Sequence, residues 1–235
     1  MPLGEELSTA DRKGRYVRRL FATIADRYDF ITVVLSYGQD RRWKRRVVDA
    51  AAPRTGMRAL DLATGTGDIA FALASRGARV VGLDITARMI EIARGKIESP
   101  SDPTHPARPA FLVGDMCSLP FGDATFDLVT TGYGLRNVPD LTASIDEIRR
   151  VLRPGGRLLS LDFDRPSNAV IRSLYLTYLT AVGGTMGFIL HGDPDTYRYI
   201  PASIRQYPGA ARVADLMRAR GFRSALHYPV LGGLM

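Results

Sequence analysis

A glycine-containing loop between an apolar segment and a helical segment is the first place in this chain that could do chemistry. Residues 60–68 read L-D-L-A-T-G-T-G-D. Gly65 and Gly67 let a ligand lie against bare backbone, a feature shared with dinucleotide-binding loops. Asp61 and Asp68 would repel a pyrophosphate, whereas they would attract a ligand that carries ammonium and sulfonium groups. The loop therefore predicts S-adenosylmethionine (SAM) as the cofactor in preference to a nicotinamide dinucleotide.

Two further carboxylates are expected at the same edge of the sheet. Asp84 ends the second predicted strand, where an acid accepts ribose hydroxyls in nucleotide-binding folds. Asp115 follows the third predicted strand, in a position to meet the adenine amino group. The complete predicted cofactor-binding set is Asp61, Ala63, Thr64, Gly65, Gly67, Asp84, Ile85, Asp115, Met116 and Thr131.

Alternating strands and helices have to position these residues. Apolar runs predict strands at 57–63, 79–83, 110–113, 126–131 and 157–163, with helices between them. Residues 222–228 and 230–234 predict a closing β-hairpin with Pro229 in its turn, and four prolines at 99–109 predict a loop. The pattern is typical of an α/β, Rossmann-like fold with a seven-stranded, mostly parallel sheet and helices on both faces.

The N-terminal region is basic and helical in pattern. Apolar residues at helical spacing between 17 and 28 predict an amphipathic helix, and a second helix is expected at 41–52. Between residues 11 and 46, eleven Lys/Arg face four acids. A solvated helical face and contact with an anionic membrane surface both explain this charge. Nucleic acid is not expected as a partner, because no nucleic-acid module accompanies the charge.

A mostly apolar stretch at 169–190 has the length of a membrane span. Arg172, three glycines and several hydroxyl side chains argue against a span, so we expect a helix-plus-loop lid over an apolar pocket. The chain is then expected to be one domain with four parts. These are basic N-terminal helices at 1–52, a cofactor-binding core at 53–165, a substrate lid at 166–205, and the last helix with the C-terminal strands at 206–235.

Cysteine content and the N-terminus bear on localisation. The single cysteine, Cys117, allows no internal disulfide and offers no metal-ligand cluster, which fits a reducing compartment. Residues 1–10 contain acids and lack the apolar core of a signal peptide. We therefore expect a cytoplasmic protein, with peripheral membrane association and a homodimer left open.

Several motifs together resemble the ubiquinone/menaquinone C-methyltransferase family. The most specific stretch is G-Y-G-L-R-N-V at 132–138, and R-W-K at 42–44 supports it. Further similar segments are 28–29, 35–38, 60–68, 119–121 and 150–156. The resemblance implies a class I SAM-dependent methyltransferase that methylates a ring carbon of a polyprenylated hydroquinone (demethylmenaquinol or a methoxy-polyprenyl-benzoquinol) at a membrane surface.

Within this resemblance, Arg136 is the predicted catalytic residue. A quinol carbon becomes a good nucleophile when an adjacent hydroxyl loses its proton, which costs roughly 4 kcal/mol at pH 7 for a phenol. A guanidinium stabilises that phenolate. The resemblance implies this role for Arg136, with Asn137 orienting a water or a ring oxygen; the alternative is that Arg136 only fixes its own loop. Tyr133 completes the predicted catalytic set, and the predicted substrate-binding residues are Tyr28, His191 and Tyr197.

The sequence also departs from the family pattern on the substrate side. The family usually carries asparagine, glutamate and serine where Thr32, Asp162 and Asp164 stand. These departures leave open a methyltransferase that acts on another phenolic or aromatic small molecule. A non-catalytic SAM-binding subunit of a quinone-synthesis complex is a further alternative, disfavoured by the intact Arg136-Asn137 pair.

Overall fold

The computed structural model describes residues 3–36, 38–98, 108–166, 168–230 and 233. The chain divides into two units, one formed by Gly14–Leu161 and the other by Met1–Lys13 with Asp162–Met235. Most of the proline-rich loop predicted at 99–109 lies outside the described residues.

The first unit is built on a parallel sheet of five strands. They are β1 (Arg58–Leu62), β2 (Arg79–Asp84), β3 (Ala110–Val113), β4 (Phe126–Gly132) and β5 (Leu152–Leu161), in the order β3-β2-β1-β4-β5. The predicted Rossmann-like α/β class is confirmed. The strand order reverses between β1 and β4, and ligands of such sheets bind at the carboxyl ends of strands at this switch point.

Helices connect and cover these strands. The chain begins with α1 (Leu3–Glu6), α2 (Ala10–Ile24), a 3-10 turn (Ala25–Arg27), α3 (Tyr28–Leu35) and α4 (Asp40–Ala51), and continues with α5 (Asp68–Ala74), α6 (Ala87–Glu98) and α7 (Leu141–Val151). The predicted N-terminal helices are therefore present. Apolar side chains from α4, α5, α6 and the sheet form one buried cluster that includes Val48, Leu73, Val80, Ile90 and Leu128. Because both faces of the central strands are covered, β1 and β4 are almost fully buried.

Strand β5 contains the Pro154-Gly155-Gly156 turn within its length. Leu152 pairs with Phe126 and Arg157 pairs with Leu128, so the residues between them bulge out of the ladder. Gly155 has φ +80°, a conformation that glycine adopts without strain. The strand predicted at 157–163 is therefore preceded by a short paired segment on the other side of this bulge.

The second unit is helical, with α8 (Ala169–His191), α9 (Asp195–Gln206) and α10 (Ala210–Ala219). The expectation of a helix followed by a loop at 169–190 is wrong, because α8 is one continuous helix. Its glycines serve close packing instead of ending the helix. A Cβ at Gly183 would lie 3.1 Å from the Tyr197 carbonyl oxygen, and one at Gly187 would lie 2.5 Å from the Asp193 carbonyl oxygen. The absence of a side chain at these positions lets α9 approach the backbone of α8.

Helix α8 meets the length and composition of a membrane-crossing segment. Its 23 residues contain an 18-residue window with a mean hydropathy of 1.3, of which 28% is buried within the protein. Core helices of soluble proteins meet the same criteria, so length and hydropathy alone do not assign α8 to a membrane.

The predicted closing hairpin is not formed at 222–228. These residues carry no strand in the structure, and Leu226 and Tyr228 are exposed. Most of the second predicted strand, at 230–234, lies outside the described residues, so five of the seven expected strands are found in the described part. Alternating apolar residues form a strand only where a neighbouring strand accepts their backbone hydrogen bonds, and no such pairing is present at 222–228.

Candidate cofactor and active site

In the loop from β1 to α5, every second residue from 63 to 67 has a left-handed backbone conformation. Ala63, Gly65 and Gly67 have φ of +49°, +54° and +92°. A Cβ at Gly67 would lie 2.8 Å from the Phe71 ring, so this glycine is required by packing. A Cβ at Gly65 would meet only the Tyr28 ring, at 3.6 Å. The backbone at Gly65 is therefore open for a ligand, and the left-handed alanine before it is strain of a kind found at functional sites.

Asp84 fixes the glycine loop from the neighbouring strand. One carboxylate oxygen accepts the Gly65 N–H at 2.9 Å, and the other accepts the Thr86 N–H at 2.9 Å. Burial raises the pKa of Asp84, and these two bonds oppose that effect. Because each carboxylate oxygen has a further lone pair, Asp84 can position the loop and still accept ribose hydroxyls.

Asp61 is the most deeply buried acid of the site. It is 1% exposed, and its two oxygens accept the hydroxyls of Thr64 at 2.6 Å and Thr130 at 2.7 Å. Burial raises the pKa of Asp61 to about 6, although both threonine bonds lower it. The free protein thus keeps a carboxylate that a cationic ligand would stabilise.

Lys44, which is not among the predicted site residues, lies beside these acids. Lys44 Nζ is 2.7 Å from Asp40 and 2.9 Å from Asp68, and Lys96 Nζ bridges Asp29 at 2.9 Å and Asp68 at 3.6 Å. The signal available in the sequence was the R-W-K motif at 42–44. Spacing alone gave no reason to place helix α4 against the glycine loop.

Tyr133 is held by the same network. Its hydroxyl donates to Asp40 at 2.9 Å, and both residues are buried. Burial, together with the Asp40 charge, raises the pKa of Tyr133. Tyr133 is therefore a neutral hydroxyl with a fixed orientation. Its φ of +61° is also left-handed, so the ends of β1 and β4 both carry a strained residue at the switch point.

Arg136 and Asn137 both donate to the Tyr133 carbonyl oxygen. The distances are 3.4 Å from Arg136 Nη1 and 2.8 Å from Asn137 Nδ2, and the guanidinium carbon lies 5.8 Å from the centre of the Tyr133 ring. Both side chains are at least nine-tenths buried. These contacts show that the pair shapes the loop after β4. The phenolate-stabilising role of Arg136 stays a prediction.

The predicted residues converge on two adjoining cavities. The larger, open cleft is lined by Tyr28 at the start of α3 and by predicted residues that follow four strand ends: Ala63, Gly65, Asp84, Ile85, Asp115, Met116, Tyr133 and Asn137. A smaller polar pocket shares Tyr28, Ala63, Gly65 and Tyr133, and adds Lys44, Asp61, Thr64 and Asp68. The Thr131 hydroxyl is buried beneath Gly134 and has no hydrogen-bond partner among the described residues.

The other two predicted substrate-binding residues belong to the second unit. His191 Nε2 and the Tyr197 hydroxyl are 2.8 Å apart, and Tyr197 is 1% exposed. The pair ties the end of α8 to the start of α9. A contact of either residue with substrate stays a prediction.

The donor set matches the chemistry of SAM. Asp61 and Asp84 are carboxylates that would suit its ammonium and ribose, and Lys44 is a cation that would suit its carboxylate. The larger cleft is predominantly apolar beside Met89 and Met116. A buried acid of raised pKa and an open glycine backbone fit a cationic nucleoside ligand. The fold and this site together define a class I SAM-dependent methyltransferase.

Comparison with known proteins identifies the family. A family model described as the ubiE/COQ5 methyltransferase family matches residues 9–235, so the chain belongs to that family. A demethylmenaquinone methyltransferase from Thermus thermophilus is 41% identical over 205 residues, covering 86% of this chain and 91% of the relative. A ubiquinone/menaquinone biosynthesis C-methyltransferase UbiE from a Geobacter species is 35% identical over 229 residues, covering 94% of each.

Solved structures agree on the fold. A SAM-dependent methyltransferase from Aquifex aeolicus superposes with a TM-score of 0.56 at 16% identity, covering 80% of this chain and 83% of that one. The YcgJ protein from Bacillus subtilis gives a TM-score of 0.52 at 28% identity, covering 59% of this chain and 58% of that one. Phosphoethanolamine N-methyltransferase 2 of Haemonchus contortus, solved with SAM, gives 0.55 at 21% identity, covering 76% of this chain and 36% of that one.

Proposed function

We propose that this methyltransferase transfers the methyl group of SAM to a ring carbon of a polyprenylated hydroquinone, either demethylmenaquinol or a methoxy-polyprenyl-benzoquinol. The observation that carries the proposal is the loop after β4, which puts Tyr133 and Asn137 in the wall of the cofactor cleft with Arg136 packed against Tyr133. The names of the Thermus and Geobacter relatives give the same substrate class.

The two cavities divide the cofactor between them. Asp84, Ile85, Asp115 and Met116 would hold the adenosine end in the larger cleft. Asp61 and Lys44 would hold the ammonium and carboxylate of the amino-acid end in the polar pocket. When bound, SAM supplies an electrophilic methyl group on a sulfonium. The carboxylates of Asp61 and Asp84 favour a cationic ligand, and both are buried, where solvent screens a charge less.

The substrate side needs a stabilised phenolate. Arg136 would lower the cost of removing a quinol hydroxyl proton by charge-assisted hydrogen bonding, and Asn137 would orient the ring oxygen. The ring carbon then forms a bond to the methyl carbon as the carbon–sulfur bond breaks. The ring carbon next loses its hydrogen as a proton and the ring oxygen regains one, so the net release is the single proton first taken from the hydroxyl. Correct alignment of the two reactants supplies much of the rate enhancement, since effective-molarity effects reach roughly 7–11 kcal/mol.

Two departures from the family pattern have local structural explanations. The Thr32 hydroxyl donates to the Tyr28 carbonyl oxygen at 2.8 Å, within its own helix. One Asp164 carboxylate oxygen accepts the Ala210 N–H at 2.9 Å and so caps the start of α10. Both residues thus have a structural partner within the chain.

A product assay tests the proposal. The protein is incubated with methyl-labelled SAM and dithionite-reduced demethylmenaquinone, and in parallel with the reduced demethylated ubiquinone precursor. We expect methylation of one quinol. It should be strongly reduced in an Arg136→Ala variant and retained in an Asp49→Ala variant that loses only an exposed ion pair with Arg76. If SAM binds and neither quinol is methylated, the substrate assignment is wrong.

A further inference from the structure

One side of α8 is exposed and uncharged along its whole length. Val170, Leu174, Thr177, Ala181, Thr185 and Phe188 follow one another at helical spacing, flanked by Ile171 and Ile189. We call these eight residues the α8 face. The five large apolar members are 47–72% exposed. All residues of α8 are described, and none of its exposed side chains is charged. Large apolar side chains exposed at both ends of an uncharged helix side mark a contact surface.

The surroundings of the α8 face indicate what covers it. Arg198 and Arg205 of α9 are exposed and line a groove with Thr177, Thr185 and Phe188. Arg198 also forms an ion pair with Asp195 at 3.1 Å. Residues 162–235 contain eight arginines and five aspartates. Exposed apolar side chains with guanidiniums beside them complement a bilayer that contains acidic lipids, because its interior is apolar and its headgroup layer is anionic.

Helix α9 also limits how deeply α8 can enter a bilayer. It packs against the glycine side of α8, and it exposes Asp195, Arg198 and Arg205. These charges are too costly to place in hydrocarbon, so the α8–α9 pair can lie on a membrane but cannot cross it as a unit.

We propose that the α8 face is the surface by which this methyltransferase lies on an anionic lipid bilayer, with Arg198 and Arg205 at the headgroups. This inference rests on the proposed function, because a polyprenyl tail dissolves in the bilayer and its ring must be met at the surface. It places the membrane contact on α8, whereas the charge of residues 11–46 alone points to the N-terminal helices.

Vesicle co-sedimentation of the full chain tests the proposal. We expect the protein to bind vesicles of phosphatidylcholine with phosphatidylglycerol more strongly than vesicles of phosphatidylcholine alone. The double variant Leu174→Glu/Phe188→Glu should lose about tenfold or more of this binding, because two apolar anchors become carboxylates. Leu226→Glu is the matched control, since Leu226 is 75% exposed in the same unit outside the α8 face and should bind as the unaltered chain does. Equal helix content and thermal unfolding by circular dichroism, together with equal affinity for SAM, show that the variants are folded.

Three results would overturn the proposal. One is that the unaltered protein does not bind either vesicle. Another is that Arg15→Gln/Arg18→Gln abolishes binding while the α8 double variant retains it, which would assign the contact to the basic N-terminal segment. The last is a stable dimer in light scattering that Leu174→Glu dissociates, which would show that a second copy covers the face. Methylation of a tail-less quinol in solution reports separately on the proposed function.

Discussion

Replacing Asp61 with asparagine should abolish the pH dependence of cofactor binding. Asp61 is buried and has a pKa raised from 3.8 to about 6 in the free protein, which corresponds to about 3 kcal/mol of unfavourable energy for the ionised carboxylate. A bound ammonium group would stabilise that ionised form. Proton release from Asp61 would therefore accompany binding below pH 6.

The size of the effect follows from this pKa. At pH 5 about one-tenth of the free protein has an ionised Asp61, and at pH 7 about nine-tenths has. S-adenosylhomocysteine carries the same ammonium group. Its dissociation constant should thus be about tenfold larger at pH 5 than at pH 7. Isothermal titration calorimetry between pH 5 and 7, in two buffers of different ionisation enthalpy, measures both the dissociation constant and the number of protons released on binding.

The asparagine variant should bind more weakly at pH 7 and show little change with pH. Asparagine keeps the shape of the side chain, and Thr64 and Thr130 can rotate their hydroxyls to donate to one atom and accept from the other. The raised pKa of Asp61 in the free protein changes folding stability with pH in the opposite direction to cofactor binding. The raised pKa makes the unliganded fold lose stability as pH rises from about 4 to above 6, and the variant should not show this loss. If the dissociation constant of the unaltered protein does not change between pH 5 and pH 7, the assignment of Asp61 to the ammonium group is refuted.

Three further substitutions test other parts of the molecule. Asp84→Ala should weaken SAM binding by about 100-fold, because it removes the ribose acceptor and the anchor of the Gly65 N–H together; an unchanged dissociation constant by calorimetry would contradict this. Arg136→Ala should leave SAM affinity within a few-fold and lower kcat by about 10²–10³; steady-state rates near those of the unaltered enzyme would restrict Arg136 to fixing its loop. Gly187→Ala should destabilise the protein by about 1–3 kcal/mol, because the added Cβ meets the Asp193 carbonyl oxygen. Gly95→Ala, in a helix with open space around it, is the control and should raise the melting temperature slightly; equal unfolding curves for the two variants would be inconsistent with close α8–α9 packing.

The site separates into residues that local pattern reveals and residues that it hides. Gly65, Asp84 and Asp115 follow apolar runs, and the ends of parallel strands meet at one edge, so their convergence was predictable. Lys44 and Asp40 lie on a helix whose own pattern shows only a basic surface. Their placement beside Asp68 and Tyr133 comes from packing between segments distant in the chain.

Two incorrect expectations have the same origin. The glycines of α8 indicated a loop because an isolated helix is weakened by glycine, yet they permit α9 to approach closely, and the packing gained offsets the intrinsic cost. The alternation at 222–228 indicated a strand, but a strand also requires a neighbour with free backbone groups.

The sequence by itself determined the α/β class, the SAM cofactor and the family resemblance, because glycine conformation, strand-end carboxylates and apolar periodicity are properties of nearby residues. Only the tertiary structure decided that Asp40 holds the Tyr133 hydroxyl, that Lys44 completes the polar pocket and that α8 continues to His191 with an uncharged exposed face. These features depend on which distant segments pack against one another and exclude water, and patterns among nearby residues do not specify that packing.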